Sequence, residues 1–386
     1  MNKLKNIGIS ALAGTLVSLS AAQAGGVSVN GSYELSYTNL DKTKVSGNKL
    51  GINKNISFGA GGDLSDGGAV TWGTTVAMND GFSGLSSASM SINMGGIATL
   101  TYDSGTGGTG ANAIDNIVPT AWEEIDYGFS TGISDVGAVS AAKGVVNLAI
   151  KAPVAGTGFS LSYAGRMGGG HTSDGATDGG GGAGYKGVDL VLDFVDYNAA
   201  HAGLRFGLAA QTEILGNTCK REKHNAESGI LASCNGPKHN PYAGTIYSKL
   251  QLGPIHFGTQ ATFKNLATGG ATEIMNQRSI VGGIAAVFGD TLSVSYGIAY
   301  DKYRYNNRNR GFDAAIPEGQ AGATESYVGG GDEHEYSTQK YRGWSAALNL
   351  GPVALKGTHN KAKGNDHTAL YIHDTTHTEF NLSIAF

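Results

Sequence analysis

From Val27 to the last residue, Phe386, apolar and polar side chains alternate with a period of two, in segments about ten residues long. In VSVNGSYELSY, Val27, Val29, Tyr33, Leu35 and Tyr37 share one face of an extended chain, and Ser28, Asn30, Ser32, Glu34 and Ser36 share the other. FSLSYAGR sets Phe159, Leu161 and Tyr163 against Ser160, Ser162 and Arg166, and TLSVSYGIAY sets Leu292, Val294, Tyr296, Ile298 and Tyr300 against Ser293 and Ser295. Helical periodicity is nearly absent. No stretch beyond residue 25 approaches the run of roughly 18 apolar residues that a membrane-spanning helix needs.

The connectors decide between a soluble sandwich and a closed barrel. Short ones, at Gly95-Gly96, Gly253-Pro254, Gly289-Asp290 and Gly351-Pro352, alternate strictly with long ones near 103–143, 167–186, 214–241 and 303–340. Greek-key sandwiches have no reason to alternate this way. Transmembrane barrels do, because their periplasmic turns are short and their extracellular loops long. The 62 glycines are more than twice the average usage of roughly 7%, and with only 7 prolines and no G-X-Y period they belong to strands and turns. About 16 strands fit the mature length, within the even-numbered series of bacterial barrels.

Export is written at the N-terminus. Lys3 and Lys5 precede an apolar run from Ile7 to Leu19 and then Ala22-Gln23-Ala24, which predicts a signal peptide over residues 1–24 and a barrel domain over 25–386. Removing Lys3 and Lys5 with the leader takes the formal charge from −4 to −6. No basic patch argues for nucleic acid.

Aromatic residues sort by strand end. Tyr37, Tyr102, Tyr163, Tyr300 and Tyr341 fall near long connectors; Phe58, Trp72, Phe159, Phe206, Phe257, Phe288 and Phe386 fall near short turns. Two interfacial girdles are the expected result. The chain also stops mid-pattern, in TEFNLSIAF, with Phe380, Leu382, Ile384 and Phe386 on one face. A closed barrel explains this: its last strand pairs with its first, since an open edge in hydrocarbon would leave backbone groups unsatisfied.

On the leader, the alternating strands and the terminal FNLSIAF, residues 25–386 resemble the general porins of Gram-negative proteobacteria. That resemblance implies a homotrimer in the outer membrane, in contact with lipid and lipopolysaccharide, and a terminal Phe386 read by the barrel-insertion machinery. It also implies a third loop folded into the lumen as a constriction. The candidate is DSGTGGTGANAIDNIVPTAWEEIDYGFSTGISDVG, which carries Asp103, Asp115, Glu123, Glu124, Asp126 and Asp135 and no base. Asp115, Glu123, Glu124 and Asp126 are the expected constriction acids, with Pro119, Trp122 and Tyr127 pinning the segment. Inward parity nominates Lys151, Arg166, Arg205, Lys249 and Lys356 as the basic wall. Strands one to four offer almost no inward base, unlike the family's arginine cluster, so a weaker or redirected cross-pore field is expected.

Three motif matches carry less. GTGGTG at 105–110 fits G-x-G-x-x-G without the helix that a dinucleotide site needs, and GFSTG at 128–132 fits a nucleophile elbow without its helix or partners. Cys219, His224, Cys234 and His239 form two C-x4-H units that could hold zinc. An oxidising compartment favours a Cys219–Cys234 disulfide instead. No cofactor or metal is expected.

The expected function is a general-diffusion porin, a passive water-filled channel for small hydrophilic solutes and ions, and not an enzyme. A solute-selective channel of the same fold is the alternative. An outer-membrane enzyme such as a lipase, or an exported adhesin, is the alternative of another class.

Overall fold

The computed structural model describes residues 26–40, 49–65, 67–78, 80–114, 117–127, 129, 136–140, 142–151, 157–167, 185–195, 203–214, 240–266, 274–305, 336–365 and 375–386. The strands are β1 (Gly26–Leu40), β2 (Leu50–Asp63), β3 (Val70–Met78), β4 (Leu85–Met94), β5 (Ala98–Ser104), β6 (Lys143–Lys151), β7 (Thr157–Met167) and β8 (Tyr185–Val195). They continue as β9 (Gly203–Ile214), β10 (Tyr242–Leu252), β11 (Ile255–Asn265), β12 (Ile274–Phe288), β13 (Leu292–Tyr305), β14 (Tyr336–Leu350), β15 (Val353–Asn365) and β16 (Thr375–Ala385). Each pairs antiparallel with its sequence neighbours, and β1 pairs with β16, so the sheet closes into a barrel. No helix among the described residues is long and apolar enough to cross a membrane; the crossing is made by strands.

The period-two pattern translates directly into two surfaces. On β13, Leu292, Val294, Tyr296, Ile298 and Tyr300 face out, and Ser293, Ser295, Gly297, Ala299 and Asp301 face in. Residues such as Ile246 (62% exposed) and Ile298 (59%) would be anomalies on a soluble protein but are ordinary against hydrocarbon. This is a multi-pass transmembrane β-barrel. Gly95, Gly253, Gly289 and Gly351 all take positive φ in the tight turns, a conformation that costs glycine little and other residues more.

Charge also segregates by face. Every carboxylate on the described strands, namely Glu34, Asp63, Asp103, Asp189, Asp193, Glu213, Asp301 and Glu379, points inward by register. Outward-facing strand charges are basic without exception.

Three sequence expectations change. Alternation of connectors is not strict, because β3 and β4 are joined on the loop side only by residues 79–84. Tyr341 is not a girdle residue: odd-numbered positions of β14 face inward, and its ring is 2% exposed beneath the third loop. Asp103 belongs to the end of β5 rather than to the loop that follows it. It is fully buried and accepts the Thr106 N–H at 2.7 Å, starting the turn into the loop.

Candidate functional site

The third loop, residues 105–142, enters the lumen through a run of glycines and a 3-10 turn (Gly110–Ile114). Gly110 lies so close to Ser162 of β7 and Asp189 of β8 that a Cβ there would overlap both side chains. From that point the loop crosses the inner wall over β9 to β16, and wall side chains satisfy its backbone one after another. Gln260 on β11, 3% exposed, donates to the Ile114 carbonyl at 3.1 Å and accepts the Ile117 N–H at 3.2 Å. Ser295 on β13 accepts from Ala121 at 2.9 Å, and Ser345 on β14 accepts from Trp122 at 3.1 Å. Asn360 on β15 donates to the carbonyls of Glu124 at 2.8 Å and Tyr127 at 3.2 Å. On the return, Gln211 on β9 accepts the Val139 N–H at 3.0 Å. A buried loop is possible only with such partners.

Beneath the loop runs a trough of glycines. Gly258, Gly283, Gly297 and Gly343 are partners of one another in register across β11, β12, β13 and β14, all facing inward. Pro119 fills the space over Gly258, Val118 that over Gly283, and Ile125 that over Gly297; a Cβ at Gly283 would come within 2.6 Å of Val118 Cγ1. Apolar loop residues complete the fit. Val118, Ile125 and Phe129 pack with Val281, Ala299, Tyr341 and Ala362, while Ala111, Ile114, Ile117 and Val136 pack with Val191, Ala209 and Tyr247.

Of the expected acids, Glu123, Glu124 and Asp126 lie in the segment held by Asn360; Asp115 lies outside the described residues. Tyr127 and Phe129 donate their N–H groups to the Glu124 and Asp126 carbonyls, which closes two turns. Burial, then the carboxylates of Glu379 and Glu34, push Glu123 up to about 7, against the opposing pull of Lys356. Burial and the Glu379 carboxylate likewise push the Tyr127 phenol up. Glu123 is therefore half-protonated near neutrality, and its negative charge appears as pH rises through that point. Cation preference should increase between about pH 6 and 8, and Glu123→Gln should flatten the profile. Reversal potentials measured across that range in both proteins check this; a wild-type profile already flat would refute it.

The expected bases do not form one wall facing the loop. Arg205 is held by Asp193 in a bidentate pair (2.6–3.1 Å) and lies over the Tyr247 ring. Lys249 stands directly across the strand pair from Arg205. Lys356 sits on the loop's own side, its Nζ 3.7 Å from Glu34 and 5.8 Å from the centre of the Trp122 ring. Lys151 is exposed at the end of β6, and Arg166 lies on β7. The free face is β1 to β5. There Ser32, Asn55, Ser57, Thr75, Ser89 and Ser91 typify the inward positions, and among the described strand residues between Asn53 and Thr101 the one inward charge is Asp63 at the turn. Phe386 closes the seam: its N–H and C=O both bond Gly31, at 3.0 and 2.9 Å. Cys219, His224, Cys234 and His239 lie outside the described residues.

Gln211, Gln260, Ser295, Ser345 and Asn360 were not singled out by sequence, because polar residues at inward positions are the rule in a barrel. The signal for the loop's footprint was the exception to that rule: apolar Val191, Val281, Ala299 and Tyr341 at inward positions.

No protein-family model matches the chain, and no curated protein resembles it in sequence. Solved structures do resemble it. Outer-membrane expressed OmpT of Vibrio cholerae superimposes with a TM-score of 0.60 at 10% identity, covering 96% of this chain and 100% of that one. The anion-selective porin from Comamonas acidovorans gives 0.53 at 14% identity, over 94% and 100%. A porin variant from Rh. blastica gives 0.50 at 12% identity, again over 94% and 100%. The fold is that of a porin. At these identities the likeness extends to the porin fold and no further, and folds host unrelated functions. One expectation is corrected as a result. Exclusion of enzyme activity does not stand, because the matched structures include OmpT proteins as well as porins on this same fold.

Proposed function

We propose that the protein is a general-diffusion channel, through which small hydrophilic solutes and ions pass passively along the lumen. The observation that carries this is the third loop, seated across the wall of β9 to β16 while β1 to β5 present a face lined largely by hydroxyls and amides. Such a face exchanges hydrogen bonds with a passing hydrated solute without binding it tightly, as conduction requires. Export by removal of residues 1–24 and assembly as a homotrimer belong to the same proposal; one OmpT structure of similar fold is described as a trimer form, at 10% identity and a TM-score of 0.58.

Planar-bilayer recording of the purified protein tests it. Stable steps in groups of three, proportional to salt concentration, are expected; a folded, inserted protein that gives no steps would sink the proposal. Selectivity follows from charge. With Arg205 neutralised by Asp193 and a formal charge of −6 after loss of the leader, a mild cation preference is expected under a salt gradient. A reversal potential of the opposite sign would refute it.

A further inference from the structure

The outward cations are not scattered. On β14 and β15, Lys340 pairs directly with Lys363, and Arg342 directly with Lys361. All four occupy outward positions toward the long-loop ends of their strands, two rungs of like charge in succession. Like charges directly opposite one another destabilise a strand pair. None of the four makes an ion pair or hydrogen bond within the described residues. A third like pair, Arg278 with Lys302, lies outward on β12 and β13. Next to these rungs, the register partners on β13 are Ile298 and Tyr300, and Trp344 follows Arg342 on β14, so the cations abut apolar wall.

We propose that this face of β14 and β15 is a binding site for the phosphate-bearing headgroup of an outer-leaflet lipid. Repulsion within each rung is relieved when one anion sits between the two cations. The two rungs lie about 7 Å apart along the strands, so four cations surround one headgroup. Arg342 supplies a planar fork suited to two phosphate oxygens, and the lysines act as point charges. The lipid is also placed by its tails, since the acyl chains continue over Trp344, Leu348 and Leu355. A second copy of this chain is a poor occupant, because no carboxylate on its described strands faces outward to meet the cations.

The test uses the full chain folded into phosphatidylcholine vesicles, with or without diphosphorylated lipid A, and reads the urea midpoint of unfolding. Lipid A should raise the midpoint of the wild type. Arg342→Gln combined with Lys363→Gln leaves one cation per rung. In neutral vesicles it should be at least as stable as the wild type. The lipid A concentration giving half of the stabilisation should rise roughly thirtyfold, from two removed surface cations. Lys186→Gln removes an outward lysine whose register partner is Ile214, and should keep the wild-type response. The proposal is overturned if the double variant keeps the full gain, or if it loses stability equally in both vesicles. It is overturned also if Lys186→Gln loses the gain as much, or if inorganic phosphate reproduces the gain in neutral vesicles.

Discussion

Gly283→Leu should unseat the constriction loop and leave the barrel standing. A leucine there projects into the space that Val118 occupies, from a backbone held on both sides by Gly258 and Gly297 in register. Overpacking of a fitted contact costs about 1–3 kcal/mol. That is enough to shift a seated-to-released equilibrium by roughly 5- to 150-fold. The expected record is a larger, noisier conductance with weaker pH dependence, since Glu123 loses first its burial and then the nearby carboxylates that together hold its proton. Asn360→Leu provides the same release from a different strand, by orphaning the carbonyls of Glu124 and Tyr127. Conductance of both variants indistinguishable from wild type, with folded barrel verified by its heat-dependent electrophoretic shift, would contradict this account of the loop.

Deleting Phe386 should have the largest effect of all, on assembly rather than on conduction. The residue closes two backbone hydrogen bonds with Gly31 and stacks its ring on Tyr33, centroids 5.9 Å apart. Without it the N–H and C=O of Gly31 face hydrocarbon, where each unsatisfied group costs several kcal/mol. Gly31→Val should reproduce much of the loss with the terminus intact, since a side chain there meets the Phe386 ring. The yield of folded barrel in membranes, measured by electrophoresis without heating, should fall sharply in both. Normal yield from the deletion would mean that closure does not depend on the terminal pair.

Barrel architecture was legible in the chain because each strand writes its own two faces, as in Leu292 to Tyr300, with no need of its neighbours. Sixteen repetitions of a local rule add up to a global shape. The third loop was legible as a long, base-free insertion, and the choice of Glu123, Glu124 and Asp126 within it rested on Pro119, Trp122 and Tyr127 beside them. Its seating was not legible. Gly258, Gly283, Gly297 and Gly343 are scattered over 86 positions of a glycine-rich chain, and only the register makes them one trough. The same holds for Lys340 and Lys363, 23 positions apart in sequence and opposite in the sheet. Arg205 was found by its inward parity, but its neutralisation by Asp193 depends on a neighbouring strand that parity does not report.

The loop lies near the start of the chain, yet the side chains that hold it come from β9, β11, β13, β14 and β15. Its resting place therefore does not exist until most of the C-terminal half has been laid down. Narrowing of the passage is a late event in the life of the molecule. An assembly intermediate halted before Asn360 has a partly built wall and a loop without its last anchor, and such a species would leak before it could discriminate.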